Sequence, residues 1–125
     1  ASTDFALRLV QIHEEIKTLL ERHQPDAVAV EELFFSRNAK TFGTVSQARG
    51  VLLLTVAQHG IEIFEYTPLQ VKQAVVGYGK AEKKQVQKMV KSILRMENIV
   101  RPDDAADALA VAICHIHSYR GELRA

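Results

Sequence analysis

The chain has 125 residues, 47% hydrophobic and 25% charged, the composition of a folded globular domain with no long disordered tract. Its most apolar stretch, residues 51–57, falls far short of the roughly 18–20 residues of a membrane span, and a single cysteine, Cys114, excludes an internal disulfide and any cysteine-rich zinc site. The net charge of +1 hides an asymmetry: residues 1–66 hold six Lys/Arg against nine Asp/Glu, residues 67–101 eight against two, and residues 102–125 two against four. A basic block between acidic ones suits a protein that grips a polyanion and sets carboxylates beside it, although chance clustering on a solvated face gives the same count. The expected setting is reducing and cytoplasmic, with no membrane partner.

Phe5, Leu9, Ile12, Ile16, Leu19 and Leu20 recur at helical spacing, so a helix is expected over residues 4–23, with Ser2, Thr3 or Asp4 as cap and Pro25 beyond its end. Ala27–Val30 is apolar at every position, which reads as a buried, parallel strand ending at Glu31-Glu32. A second helix is expected from Ala39 to Gln58, stopped by Gly60. Its Gly43 and Gly50 lie seven apart, on roughly one face, and predict a close helix approach, within the chain or in a dimer. Ile61–Tyr66 reads as a second strand, alternating Ile61, Ile63 and Glu65 against Glu62, Phe64 and Tyr66. Thr67-Pro68 opens a short helix that ends at Gly77. After a loop at residues 77–80, helices are expected over residues 81–95 and 103–119. Helices alternating with strands mean an α/β sheet flanked by helices in a single domain over residues 1–125. Two strands are too few for such a sheet. The missing strands are expected from residues before Ala1, with a partner chain as the alternative source.

Two patterns carry chemistry. Val86, Met89, Val90, Ile93 and Leu94 form an apolar stripe on the residue 81–95 helix, while Lys84, Lys88, Lys91 and Arg95 form a cationic one. A row of cations one helical turn apart can follow phosphates along a nucleic-acid backbone, and Lys72, Lys80 and Lys83 lie just upstream. Glu31 closes a buried strand, the place where α/β sheets bind ligands. Asp104 and Asp107 are three apart in the first turn of the last helix, where they share a face. Each is also a good helix-terminal acid, but together with Glu31 and the basic helix they point to a Mg²⁺ site. His115 and His117 are two apart and make a poor metal pair; they read as surface or satisfied core histidines, and Cys114 as core packing.

The runs at residues 29–34 (AVEELF), 47–50 (QARG), 71–77 (VKQAVVG), 81–83 (AEK) and 104–110 (DAADALA) together resemble the RuvC family of bacterial Holliday-junction resolvases. The resemblance implies an RNase H-like mixed sheet with flanking helices, and a Mg²⁺-dependent endonuclease, with Mn²⁺ as a substitute, that resolves four-way DNA junctions as a homodimer. It also implies two ions per site and branch-migration helicase partners. By motif, Glu31, Asp104 and Asp107 match the family's metal-binding carboxylates, Lys72 and Lys83 its catalytic lysines, and Phe34 an aromatic that stacks on bases at the junction centre. The remaining DNA contacts are expected from Lys80, Lys84, Lys88, Lys91 and Arg95. The family's opening strand, Gly-x-Asp-x-Gly, has no counterpart here, so the printed chain is expected to lack the first acidic ligand and to be inactive alone. A non-catalytic junction-binding module and a related nuclease acting on RNA are the other readings that the residues allow; Phe34 and the two glycines speak against RNA.

Overall fold

A computed structural model describes residues 2–32 and 39–124. In chain order the elements are α1 (Ser2–His23), β1 (Ala27–Glu31), α2 (Ala39–Gln58), β2 (Glu62–Tyr66), α3 (Pro68–Val76), α4 (Lys83–Ile93) and α5 (Asp103–Arg124). Every expected helix and strand is present. The two strands pair in a sheet. The N–H of Glu32 donates to the carbonyl of Tyr66 at 2.7 Å, so the C-terminal ends lie side by side and the strands run parallel. No described helix is long and apolar enough to cross a membrane.

The described residues group into two compact units. One holds α1, the start of β1, α2 and the chain through Ile63; the other holds Ala29–Glu32 and everything from Phe64 onward. In the first unit α1 packs on α2. Leu20 and Val56 are buried there, and Thr55 is a buried polar residue. The Thr55 hydroxyl donates to the Val51 carbonyl at 2.7 Å, so it accepts from Nδ1–H of His13 at 2.9 Å. Its donor and acceptor capacity are both used, which makes its burial tolerable.

The second unit is built on α3, α4 and α5. Its core runs from Val71 and Val75 on α3, through Ala81 just before α4 and Val86 and Val90 on it, to Ala110, Val111, Ile113 and Cys114 on α5. Local chemistry sets α3. The Thr67 hydroxyl accepts from the N–H of Gln70 at 3.1 Å, and the Gln70 side chain accepts from the N–H of Thr67 at 2.8 Å, a reciprocal capping box. Gly77 ends the helix at φ +106°, a conformation that costs other residues strain.

Four expectations need correction. β1 is half-buried rather than buried, because in the described two-stranded sheet each strand keeps one unpaired edge. In β2 the alternation fails: Glu62 and Glu65 are exposed, while Ile63, Phe64 and Tyr66 are half-buried. Phe64 lies 4.4 Å, ring centre to ring centre, from His115, a tertiary contact that a period-two pattern does not carry. Gly43 and Gly50 make no close approach within the chain, since a Cβ at either would meet nothing within 4 Å among the described residues. Finally, α4 ends at Ile93, and Arg95 sits at φ +55°, outside the helix. The cationic stripe on α4 is therefore Lys84, Lys88 and Lys91. Opposite it Val86 and Val90 are buried, whereas Met89, Ile93 and Leu94 stay exposed.

Candidate active site

Four of the residues singled out from sequence meet in one cavity of about 260 Å³ in the second unit: Glu31, Lys72, Lys83 and Asp107. Each arrives from a different element. Glu31 is the last residue of β1, Lys72 stands on α3, Lys83 opens α4, and Asp107 lies in the second turn of α5. The apolar wall comes from Pro68, Val71, Val86, Ala110 and Val111, several of which belong to the unit's core. The charged groups are thus carried on packed helices and a strand end.

The electrostatics tie the four together. Glu31 as a residue is exposed, but its carboxyl is partly shielded by the cavity. Desolvation pushes its pKa up, the negative charge of Asp107 pushes it further, and Lys72 pulls it back. A carboxylate whose charge is disfavoured by a second carboxylate across a shared space offers a ready seat for a cation. Their oxygens are the hard donors that Mg²⁺ takes, and that ion needs only one or two carboxylates when phosphate and water complete its shell. The donor set therefore fits a divalent metal. Among the described residues, no group of three or more His, Cys, Asp and Glu side chains is gathered closely enough to hold one.

Asp104 does not join the pair. It is exposed and borders a separate surface hollow with Arg101, Pro102 and Asp103. Three residues on a helix turn the side chain by about 300°, which leaves Asp104 beside Asp107 on one flank without bringing both into one cavity. Lys80, Lys84 and Lys88 are exposed, and Lys91 is half-buried. Phe34 lies outside the described residues.

Asp103, which the sequence patterns do not single out, has a partner. Its Oδ2 lies 3.3 Å from the Lys83 ammonium and its Oδ1 accepts from Nε2 of Gln87 at 3.1 Å. The hydrogen bond and charge of Asp103, helped by Asp107, push the Lys83 pKa up. A signal was available: Asp103 and Asp107 are four apart, a spacing that aligns side chains on a helix as well as three does. His115 is a satisfied histidine, with Nδ1 2.6 Å from the Tyr66 hydroxyl. His117 is exposed, and its Nδ1–H donates to the Ala74 carbonyl at 3.3 Å. Cys114 is fully buried in the core, as expected.

The family profile for the crossover junction endodeoxyribonuclease RuvC matches residues 1–115. The chain belongs to the RuvC family. A RuvC from Syntrophomonas wolfei is 65% identical over 120 residues, covering 96% of this chain and 70% of the relative. One from Ruminiclostridium cellulolyticum is 58% identical over 120 residues, covering 96% of this chain and 72% of the relative. The RuvC structure from Thermus thermophilus superimposes with a TM-score of 0.87 at 39% identity, over 94% of this chain and 71% of that one. A second structure of Thermus RuvC, in complex with a Holliday junction substrate, gives 0.87 at 40% identity, over 92% and 70%. The fold is therefore the RNase H-like fold of the RuvC family, whose nucleases depend on a divalent metal.

Proposed function

We propose that this chain carries the phosphodiester-cleaving site of a Holliday-junction resolvase, a metal-dependent endonuclease that cuts four-way DNA junctions in recombination and repair. Membership of the RuvC family supports the activity, and the Thermus relative complexed with a junction supports the substrate. The observation that carries the residue assignment is the meeting of Glu31 and Asp107 with Lys72 and Lys83 in one cavity.

In this reading Glu31 and Asp107 would hold Mg²⁺, two ions per site with Mn²⁺ as a substitute, and Asp104, which stands outside the cavity, is supported as a further ligand by the family motif alone. When bound, the metal supplies Lewis-acid activation of water and neutralises charge on the phosphate. Lys72 and Lys83 set positive charge against the scissile phosphate, where it counts most as the transition state gains charge. Val71, Val86, Ala110 and Val111 keep bulk water from one side of the cavity, which strengthens those interactions. Lys80, Lys84, Lys88 and Lys91, with Arg95 beyond the helix, follow the DNA backbone. Phe34 stacks on unpaired bases at the junction centre. The protein acts as a homodimer, which matches the two-fold pairing of cuts in a junction, and it works with branch-migration helicases.

Glu31→Gln, made in the complete protein, tests the site. The amide removes ligand charge and leaves the basic surface intact. Junction cleavage is expected to fall by about 10²-fold or more, with junction affinity within a few-fold of the parent. Near-normal cleavage would remove Glu31 from the metal site.

A further inference from the structure

Within the second unit, the first two turns of α4 and the first turn of α5 are joined by a bracket that the site described above does not use. Asp103 presents one carboxylate oxygen to the Lys83 ammonium at 3.3 Å and the other to Nε2 of Gln87 at 3.1 Å. Lys83 and Gln87 are four apart on α4, so both donors stand on one face of that helix. Asp103 is in turn four residues ahead of Asp107 on α5, along one flank of the helix, although it borders the separate hollow and not the cavity itself. One carboxylate thus spans two anchor points on α4 and fixes where Lys83 stands with respect to Asp107.

Both partners of the ion pair are 57% exposed. Pairs of that kind add little to stability. What the pair does provide is order. A free lysine side chain spreads over many rotamers, and holding the ammonium in place before substrate arrives removes that freedom in advance. Lys83 borders the cavity of Glu31 and Asp107, so the freedom removed is that of a group proposed to meet the phosphate.

We propose that Asp103 is a positioning residue for cleavage: it acts through Lys83, holding its ammonium at the rim of the Glu31–Asp107 cavity, with Gln87 bracing the carboxylate. The proposal rests on the reading of Lys83 given above.

The test is single-turnover cleavage of a four-way junction by the complete protein at saturating concentration, together with junction affinity measured without added metal. The variants are Asp103→Ala, Asp103→Asn, Lys83→Ala and the double change Asp103→Ala with Lys83→Ala. Asp103→Ala is expected to slow cleavage about tenfold while affinity stays within about twofold. Asp103→Asn keeps the shape and loses the charge, so it should fall between Asp103→Ala and the parent. Lys83→Ala alone should cost about 10²-fold, and adding Asp103→Ala should then cost nothing further, because the group it positions is gone. Equal losses from Asp103→Ala in both backgrounds would overturn the proposal, since a merely structural role behaves that way. An unchanged rate, or a faster one that marks the pair as a restraint on Lys83, would overturn it as well. Near-parental cleavage by Lys83→Ala would overturn the lysine assignment and this proposal together. Failure of the carboxylate site shows up separately, as retained cleavage by Glu31→Gln.

Discussion

In the second unit nine residues between Val71 and Cys114 close into one buried cluster, while Leu69, Met89, Ile93, Leu94, Met96 and Ile116 stay exposed. In the first, among the described residues, only Leu20 and Val56 reach that state, while Leu7, Val10, Leu19, Val45 and Leu54 stand roughly half exposed. The charge divides the same way, with the lysines of α3 and α4 in the second unit and an acidic balance in the sequence before it. A tightly packed base suits a site in which four charged groups must keep their places. The first unit carries no member of that site, and although both units leave large apolar side chains exposed, only the second gathers a buried cluster of this size among the described residues. The contrast says that precision in this molecule is concentrated under the chemistry.

The contrast breaks most visibly through stability. Val90 is fully buried on α4, and Val90→Ala should cost about 2 kcal/mol, read as a lower denaturant midpoint in chemical unfolding. Leu54→Ala, at a position 56% exposed on α2, should stay within about 0.5 kcal/mol. Equal costs would mean that the first unit is packed as closely as the second.

DNA binding gives the next largest effect. Changing Lys88 and Lys91 together to Ala should weaken junction binding and flatten its salt dependence by about one to two units of slope. Changing Lys17 and Arg22 on α1 should leave the slope unchanged. A flattened slope from the α1 pair would place the DNA-facing charge in both units.

The smallest effect concerns Glu31. Desolvation and Asp107 make its carboxyl hold a proton more tightly in the folded protein than in the unfolded one. The folded state then binds more protons, so stability falls as pH rises through this group's titration. The cost is present at neutral pH and absent below the ordinary glutamate range. Glu31→Gln should therefore melt a little higher than the parent at pH 7, and the gain should vanish below about pH 4. A gain that grows on acidification would contradict the shielded, charge-opposed carboxyl.

How far the fold can be read from residues depends on whether the cause is local. Thr67, Pro68, Gln70 and Gly77 set both ends of α3 through contacts within four residues, and the helix lies where that pattern puts it. The end of α4 carries no such mark: Leu94-Arg95-Met96 contains neither glycine nor proline, yet the chain turns left-handed at Arg95. Glu31 was legible as a candidate because strand ends are where α/β folds place ligand groups, and Asp107 because it stands three residues after Asp104, although it lies in the second turn of α5 and not the first. That the cavity unites them with Lys72 and Lys83 and passes over Asp104 follows from the packing of α3, α4 and α5, which no spacing records. The partnership of Asp103 with Lys83 is of the same kind: the helical phase was visible, but the partner stands twenty positions away.

The burial of Cys114 has a practical consequence for the region that carries the site. Its sulfur is fully enclosed among α3, α4 and α5, 3.7 Å from the carbonyl of Gln70, and burial pushes the thiol up so that little thiolate forms. An alkylating reagent therefore meets a reactive sulfur only in molecules whose helices have come apart. Because the chain holds one cysteine, every labelled molecule records one such opening. The thiol is a built-in clock for the breathing of the helices beneath the cavity, and it can be read without a probe engineered into the protein.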